Sequence, residues 1–414
     1  MIQRQICGNG VRIVHEKMPY VRSVAIGIWI EAGSSNEQES ESGIAHFIEH
    51  MLFKGTKTRS ARTIAEEFDR IGGDMNAFTS KETTCFYATV LNNHAQKAFT
   101  ILGDMFFNSV FDEEEISKER SVVLDEIASV EDTPDDDVEE RLWALMYPRH
   151  PIGRPVLGKE ETIETFTKET IRTFMNRMYR PENIVISIAG NYDDDLIRLI
   201  EEVFGSFKSG EKEKEPILEI PEFHPGVSIK EKDIEQAHVC IGFPGLALQD
   251  KRLYDMAVLD SVLGGAMSSR LFQEIREERG LAYSVYSSYS SYKSSGAFVI
   301  YGGTAPEKTE ELYGTINAII DSVQKKGLTK NEIYNAKEQL KGGFLLGLES
   351  SESRMHRNGS NELTLNKHQT IDEVVSLIDQ VNLVETHQLA VEVFNNKPAI
   401  SVIAPEAVCK HIKF

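Results

Sequence analysis

The sequence contains no CxxC pair, no surplus of positive charge and no apolar run of about 18 residues, the length that a bilayer-spanning helix needs. Each absence closes off a class. The four cysteines, Cys7, Cys85, Cys240 and Cys409, lie far apart, with no spacing that suggests a thiolate zinc site or a disulfide framework, and read as packed thiols in a reducing compartment. Lys and Arg number 45 against 65 Asp and Glu, a formal net charge of -20, so nucleic acid is not an expected partner. Residues 1–10 lack the apolar stretch of a signal peptide. The expectation is a cytoplasmic protein with no membrane attachment.

What is present fits a globular chain. With 414 residues, 41% hydrophobic and 27% charged, the sequence is long enough for two domains, each with its own core. Residues 208–226 read KSGEKEKEPILEIPEFHPG, charge and three prolines without helical or strand period, as a linker does. On either side the same elements recur in the same order. SVAIGIWIE and QAHVCIGFP read as first strands, TTCFYATV and GAFVIYGG as later ones, and NIVISIAGN and PAISVIAP as closing ones. Residues 111–127, FDEEEISKERSVVLDEI, likewise stand beside residues 328–344, LTKNEIYNAKEQLKGGF. This points to a duplicated α+β domain, each copy an antiparallel sheet with helices on a face, divided as 1–208, a linker over 209–226, and 227–414.

The chemistry concentrates in SGIAHFIEHMLFKGT. Serines that can cap precede it, Gly55 follows it, and Ile44, Ala45, Phe47, Ile48, Met51, Leu52 and Phe53 make it apolar nearly all round, so it reads as one short buried helix. His46 and His50, four apart, share a face and can hold one metal ion. Glu49 lies beside them, placed to serve as general base toward a water activated by that metal. The order HxxEH is the inverzincin signature. Chance would put it in about 0.03 of chains with this many histidines. Without a metal, the trio would have to be fully paired core groups to offset the cost of burial.

A catalytic zinc takes three protein ligands and leaves one position for water. The segment EEEISKERSVVLDEIASVED has an apolar stripe of Ile116, Val123, Ile127 and Val130, and Glu119 and Glu126 fall on or next to it. A carboxylate on a buried face is compensated by a nearby divalent cation. Glu126 as ligand and Glu119 as the group that orients a ligand fit best.

HFIEHMLFKGT and ERSVVLDEI together resemble the zinc-binding segments of the pitrilysin family of inverzincin metallopeptidases, especially its processing-peptidase β-subunit branch and bacterial homologues. The resemblance covers essentially the whole chain. It implies His46, His50 and Glu126 as ligands of one zinc per chain, Glu49 as base and Glu119 in support. GGDMNAFTSKETTCFYA, residues 72–88, resembles the family's strand beside the bound peptide, which implies that Asn76, Ala77 and Phe78 contact substrate, backbone to backbone. SSRLFQEIREERGLAYSVYSSYS resembles the family's Arg/Tyr segment, which implies that Arg276 and Tyr283 contact substrate and stabilise the oxyanion. In the second copy Ala336 and Gly343 stand opposite Glu119 and Glu126, so it carries no metal. Chains of this length form half of the family's clamshell. The resemblance therefore implies a homodimer with a closed chamber, Arg276 and Tyr283 serving the partner's zinc, and a zinc endopeptidase acting on extended peptides. A non-catalytic assembly subunit, or the peptide-binding partner of a heterodimeric peptidase, is the alternative.

Overall fold

The computed structural model describes residues 2–208 and 220–410, so most of the expected linker lies outside the described residues. The described chain forms two sheets. The first contains β1 (Ile2–Ile6), β2 (Arg12–Lys17), β3 (Ser23–Ile30), β4 (Asp74–Thr79), β5 (Thr84–Leu91) and β6 (Ile184–Gly190), in the order β1-β2-β6-β3-β5-β4. The second contains β7 (Gly226–Glu231), β8 (Ala237–Pro244), β9 (Ala282–Ser291), β10 (Gly296–Thr304) and β11 (Ala399–Ala404), in the order β7-β11-β8-β10-β9. Apart from β1 the two orders are the same, strand for strand. The duplicated α+β plan read from the sequence is therefore present in the topology.

The sheets are mixed rather than antiparallel, which corrects the sequence expectation. β6 runs parallel to β2 and antiparallel to β3, and β11 runs parallel to β7 and antiparallel to β8. The cause is the place of the closing strand. A short turn makes β2 and β3 antiparallel, so any strand inserted between them must run parallel to one of the two. The same holds for β7 and β8.

β3 and β6 are apolar along their length and buried on both faces. One face carries Ile26, Ile28 and Ile186, which share the main core with Phe47, Phe99 and Phe174 from helices. The other face carries Val14, Ala25, Trp29 and Val185, and is covered by Met355 and Leu363 from much later in the chain. The covering helix, Ser351–Ser360, donates nothing to a long apolar stripe; its Met355 carbonyl accepts from Ser187 Oγ at 2.7 Å, and its Arg354 and Asn358 hold Glu16 at 2.5 and 3.0 Å.

The second sheet is treated in the same way. Helix Pro134–Met146 lays Val138, Leu142, Trp143 and Met146 on Cys240, Val299, Tyr301 and Ile403. A side chain at Gly27 would meet Met355 Sδ at 2.4 Å, and one at Gly242 would meet Met146 Sδ at 2.5 Å, so each central strand has a glycine under the crossing helix. Compactness accordingly groups Met1–Ala128, Arg154–Leu218 and Gly347–His368 into one unit, and Ser129–Gly153, Glu219–Leu346 and Gln369–Phe414 into the other. Each unit takes one helix from the opposite half of the sequence. No helix among the described residues is long and apolar enough to cross a membrane.

Gly359 lies against Trp29 so closely that an added Cβ would sit 2.2 Å from the indole Nε1, and a rigid ring cannot yield as a flexible side chain can. Gly359→Ala is expected to destabilise the first unit by about 1–3 kcal/mol in urea unfolding. Adding Trp29→Phe should recover part of that loss.

Candidate functional site

The histidine helix spans Ile44–Leu52 and buries Ile44, Ala45, Phe47, Ile48, Met51 and Leu52. Its start differs from the serine cap expected. The capping position is Gly43, in the left-handed region at φ 93°, where a side chain would meet Leu157 O at 2.5 Å. The orphan N–H groups are satisfied instead by Glu37, six residues upstream, whose two carboxylate oxygens accept from Gly43 N at 2.8 Å and Ala45 N at 2.9 Å. The helix ends at Leu52, and Gly55 follows with φ 119°.

Helix Glu113–Asp132 crosses beside it. His46 Nε2 and His50 Nε2 are 3.1 Å apart, and each is 3.7 Å from Glu126 Oε2. The three form a cluster able to hold a metal ion. A tetrahedral zinc with ligands at about 2.1 Å sets them about 3.4 Å from one another, so these separations fit. The second nitrogen of His50 is fixed: Nδ1 lies 2.7 Å from Glu119 Oε1, which leaves Nε2 directed at the cluster. Glu119 is 3% exposed, and Lys54 Nζ holds its other oxygen at 2.5 Å.

Charge follows from these contacts. Burial, and then the neighbouring His50 charge, lowers His46 to about 4, so it is neutral at physiological pH as a metal ligand must be. Burial also pulls His50 down, but the Glu119 hydrogen bond and the charges of Glu126, Glu119 and Glu49 outweigh it and the group is raised. Glu119 shows the converse: burial raises it, while the bonds from His50 and Lys54 leave it lowered. Burial raises Glu49, against the Thr79 hydroxyl, which donates to Glu49 Oε2 at 2.5 Å. A carboxylate raised in this way suits proton transfer near neutral pH.

Thr79 ends β4, and β4 is the edge of its sheet, paired on one side with β5. Asn76 is exposed, and its Oδ1 accepts from Ala77 N at 2.8 Å. Ala77 packs on the main core, and the Phe78 ring turns to the opposite face against Trp29 and His356, with centroids at 5.5 and 5.8 Å. Arg276 and Tyr283 belong to the second unit. The Arg276 guanidinium lies 4.7 Å over the Tyr283 ring and 4.7 Å over Phe272, and Tyr283 is 80% exposed. Arg276 sits in the π-helical turn Phe272–Glu278, a wide turn often found at functional sites.

Glu37, Lys54 and Thr79 did not stand out in the sequence. Glu37 lies outside the usual capping positions, Lys54 looks like a solvated lysine, and Thr79 shares a polar TSKETT run with several equivalent candidates.

Residues 12–160 match the family described as Insulinase (Peptidase family M16), and residues 165–340 match the Peptidase M16 inactive domain. A Bacillus subtilis protein named uncharacterized zinc protease YmxG is 51% identical over 405 residues, 98% of each chain. This chain belongs to the M16 peptidase family. A Mycobacterium leprae relative, also named an uncharacterized zinc protease, is 39% identical over 96% of this chain and 91% of its own. The fold matches the crystal structure of a Helicobacter pylori protease with a TM-score of 0.92 at 23% identity, covering 98% and 99% of the two chains. A putative M16-like peptidase from Alicyclobacillus acidocaldarius matches with a TM-score of 0.87 at 20% identity, over 98% of each chain. The pitrilysin resemblance and the two-domain α+β class stand. His46, Glu49, His50, Glu119 and Glu126 all fall in the Insulinase match, and Arg276 and Tyr283 in the other.

The His50–Glu119 pair gives a pH signature in the metal-free protein. The raised His50 contributes stability in full below its ordinary 6.5 and loses it as pH rises through the raised value; the lowered Glu119 contributes above its ordinary 4.5 and loses it as pH falls through the lowered value. The stability advantage over Glu119→Gln should therefore be largest between about pH 4.5 and 6.5 and shrink on both sides. Histidine NMR titration should show the His50 value falling in that variant.

Proposed function

We propose that this chain is a zinc-dependent endopeptidase that cuts extended peptides or unfolded segments. One observation carries the reading: the carboxylate beside the three donor atoms, Glu49, is hydrogen-bonded at 2.5 Å to Thr79 on the edge strand β4. Base and edge strand are thus a single piece of structure. An incoming peptide adds to β4 by main-chain hydrogen bonds, which are indifferent to sequence, and its scissile bond comes to lie near Asn76, Ala77 and Phe78. Folded proteins are poor substrates, because the peptide has to enter as a strand.

His46, His50 and Glu126 hold one zinc, which supplies Lewis acidity toward water and the scissile carbonyl. Glu49 removes the proton of the attacking water and passes it to the leaving amine nitrogen. Glu119, anchored by Lys54, keeps His50 in the tautomer whose Nε2 lone pair is free. Arg276 and Tyr283, cation over phenol, stabilise the oxyanion of a partner's site in a homodimeric chamber. Relatives named zinc proteases support the metal, and the wide separation of the four free cysteines suits a reducing cytoplasm.

Glu49→Gln is expected to keep about one zinc per chain and to lose roughly 10²–10⁴-fold in kcat on a quenched basic peptide. Unchanged cleavage by the variant would remove Glu49 from the mechanism. A wild type that binds zinc and cuts nothing alone would favour the non-catalytic or partner-dependent subunit. Mixing Arg276→Ala with Glu49→Gln should restore about a quarter of wild-type activity, since half the dimers are then mixed and each has one complete site. No recovery over either variant alone contradicts action in trans.

A further inference from the structure

The loop between β3 and the histidine helix, residues 31–43, contains a carboxylate with no role in the chemistry above. Glu37 is 3% exposed, and burying a carboxylate that deeply is costly unless both oxygens are engaged. They are engaged by Gly43 N and Ala45 N, the first amides of the helix whose next residue is His46. The helix dipole favours an acceptor there. The Gly43 cap has no side chain to do this work, and the close approach of Leu157 O forbids one.

The same loop is also tied to the turn that follows β4. Ser34 N donates to Ser80 O at 3.2 Å, and Ser35 donates to Lys81 O through its N–H at 2.7 Å and its hydroxyl at 2.5 Å. Glu37 N closes back on Ser34 O at 3.4 Å. Arg154 completes the circuit: its guanidinium donates to Glu37 O at 2.8 Å, and its own carbonyl accepts from Lys81 Nζ at 3.0 Å. A side chain at Gly33 would meet Ser80 O at 2.3 Å, so loop and turn are pressed backbone to backbone.

We propose that Glu37 is a positioning residue that fixes the register of the histidine helix against the turn of edge strand β4, so that the ligands and the peptide-binding strand keep one relative placement. The proposal rests on the zinc peptidase reading. Two connections then join helix and strand: Thr79 to Glu49 at the base, and Ser80 and Lys81 through Ser34, Ser35 and Glu37 to the helix start. Releasing the second lets the first turn of the helix loosen and carry His46 away from His50 and Glu126, while the apolar face of the later residues keeps the helix in the core.

The test compares wild type, Glu37→Gln and Asp193→Ala, the last removing an ordinary cap whose carboxylate accepts from Leu196 N on helix Asp194–Gly205. Glutamine keeps the size but turns an NH2 group toward one of the two helix N–H groups. Zinc affinity by chelator competition should fall at least about 10-fold in Glu37→Gln, as for other residues that orient a ligand-bearing element, and stay within about twofold in Asp193→Ala at a comparable loss of Tm. With zinc saturating, kcat should fall more than KM rises. In the metal-free proteins, amide exchange should quicken in Glu37→Gln at residues 43–47 and at residues 80–83 together. Wild-type zinc affinity in Glu37→Gln, or a loss matched by Asp193→Ala, overturns the proposal. If the wild type binds no zinc the peptidase reading fails, and exchange alone decides: quickening confined to residues 43–45 makes Glu37 a local cap and overturns the positioning role.

Discussion

Burying an imidazole and a carboxylate side by side is tolerable when each answers the other's charge, and the 2.7 Å contact between His50 Nδ1 and Glu119 Oε1 meets that condition where two helices cross. The rest of the first unit is arranged around it. The histidine helix is apolar on its remaining faces, so it packs deep in the core and carries His46, Glu49 and His50 with it. Helix Glu113–Asp132 brings Glu119 to 3% exposure and, two turns on, leaves Glu126 with its side chain 40% accessible. The result is a graded site: one carboxylate sealed inside against His50, and one open carboxylate that solvent and a metal ion can reach.

The sheet supplies the other half of the geometry. Because β4 is an edge strand, its outer backbone groups are available to an added strand, and because Thr79 ends β4 it reaches Glu49. That edge is packed from the other face of the sheet. Trp29 and Phe78 pack there with His356 from helix Ser351–Ser360, so a helix from the second half of the sequence buttresses the strand that the peptide is proposed to join.

That His46, His50 and Glu126 come together was legible because the information is local. Two histidines at helical spacing need no knowledge of the fold, and Glu126 interrupts an apolar stripe that has its own period. The paired strand sets were legible for the same reason, since β3, β5 and β6 each read as an apolar strand. The parallel pairings were not, because they depend on where β6 and β11 insert, which is a matter of distant contacts. The covering helix Ser351–Ser360 was hidden for a different reason. It buries Ser351, Asn358 and Gly359 with a single large apolar residue, Met355, so it attaches by close approach and hydrogen bonds and shows no hydrophobic period. Glu37 escaped notice because a carboxylate reaching forward six residues to cap a glycine leaves no fixed spacing to find.

Binding of one zinc by His46, His50 and Glu126 is tested most directly by an anomalous difference map collected at the zinc edge from crystals of the zinc-loaded protein. The expected result is a single strong peak in the first unit, about 2.0–2.2 Å from His46 Nε2, His50 Nε2 and a Glu126 carboxylate oxygen, and no peak in the second unit. A zinc-loaded crystal with no peak at that position, or with its metal held by other residues, would contradict it.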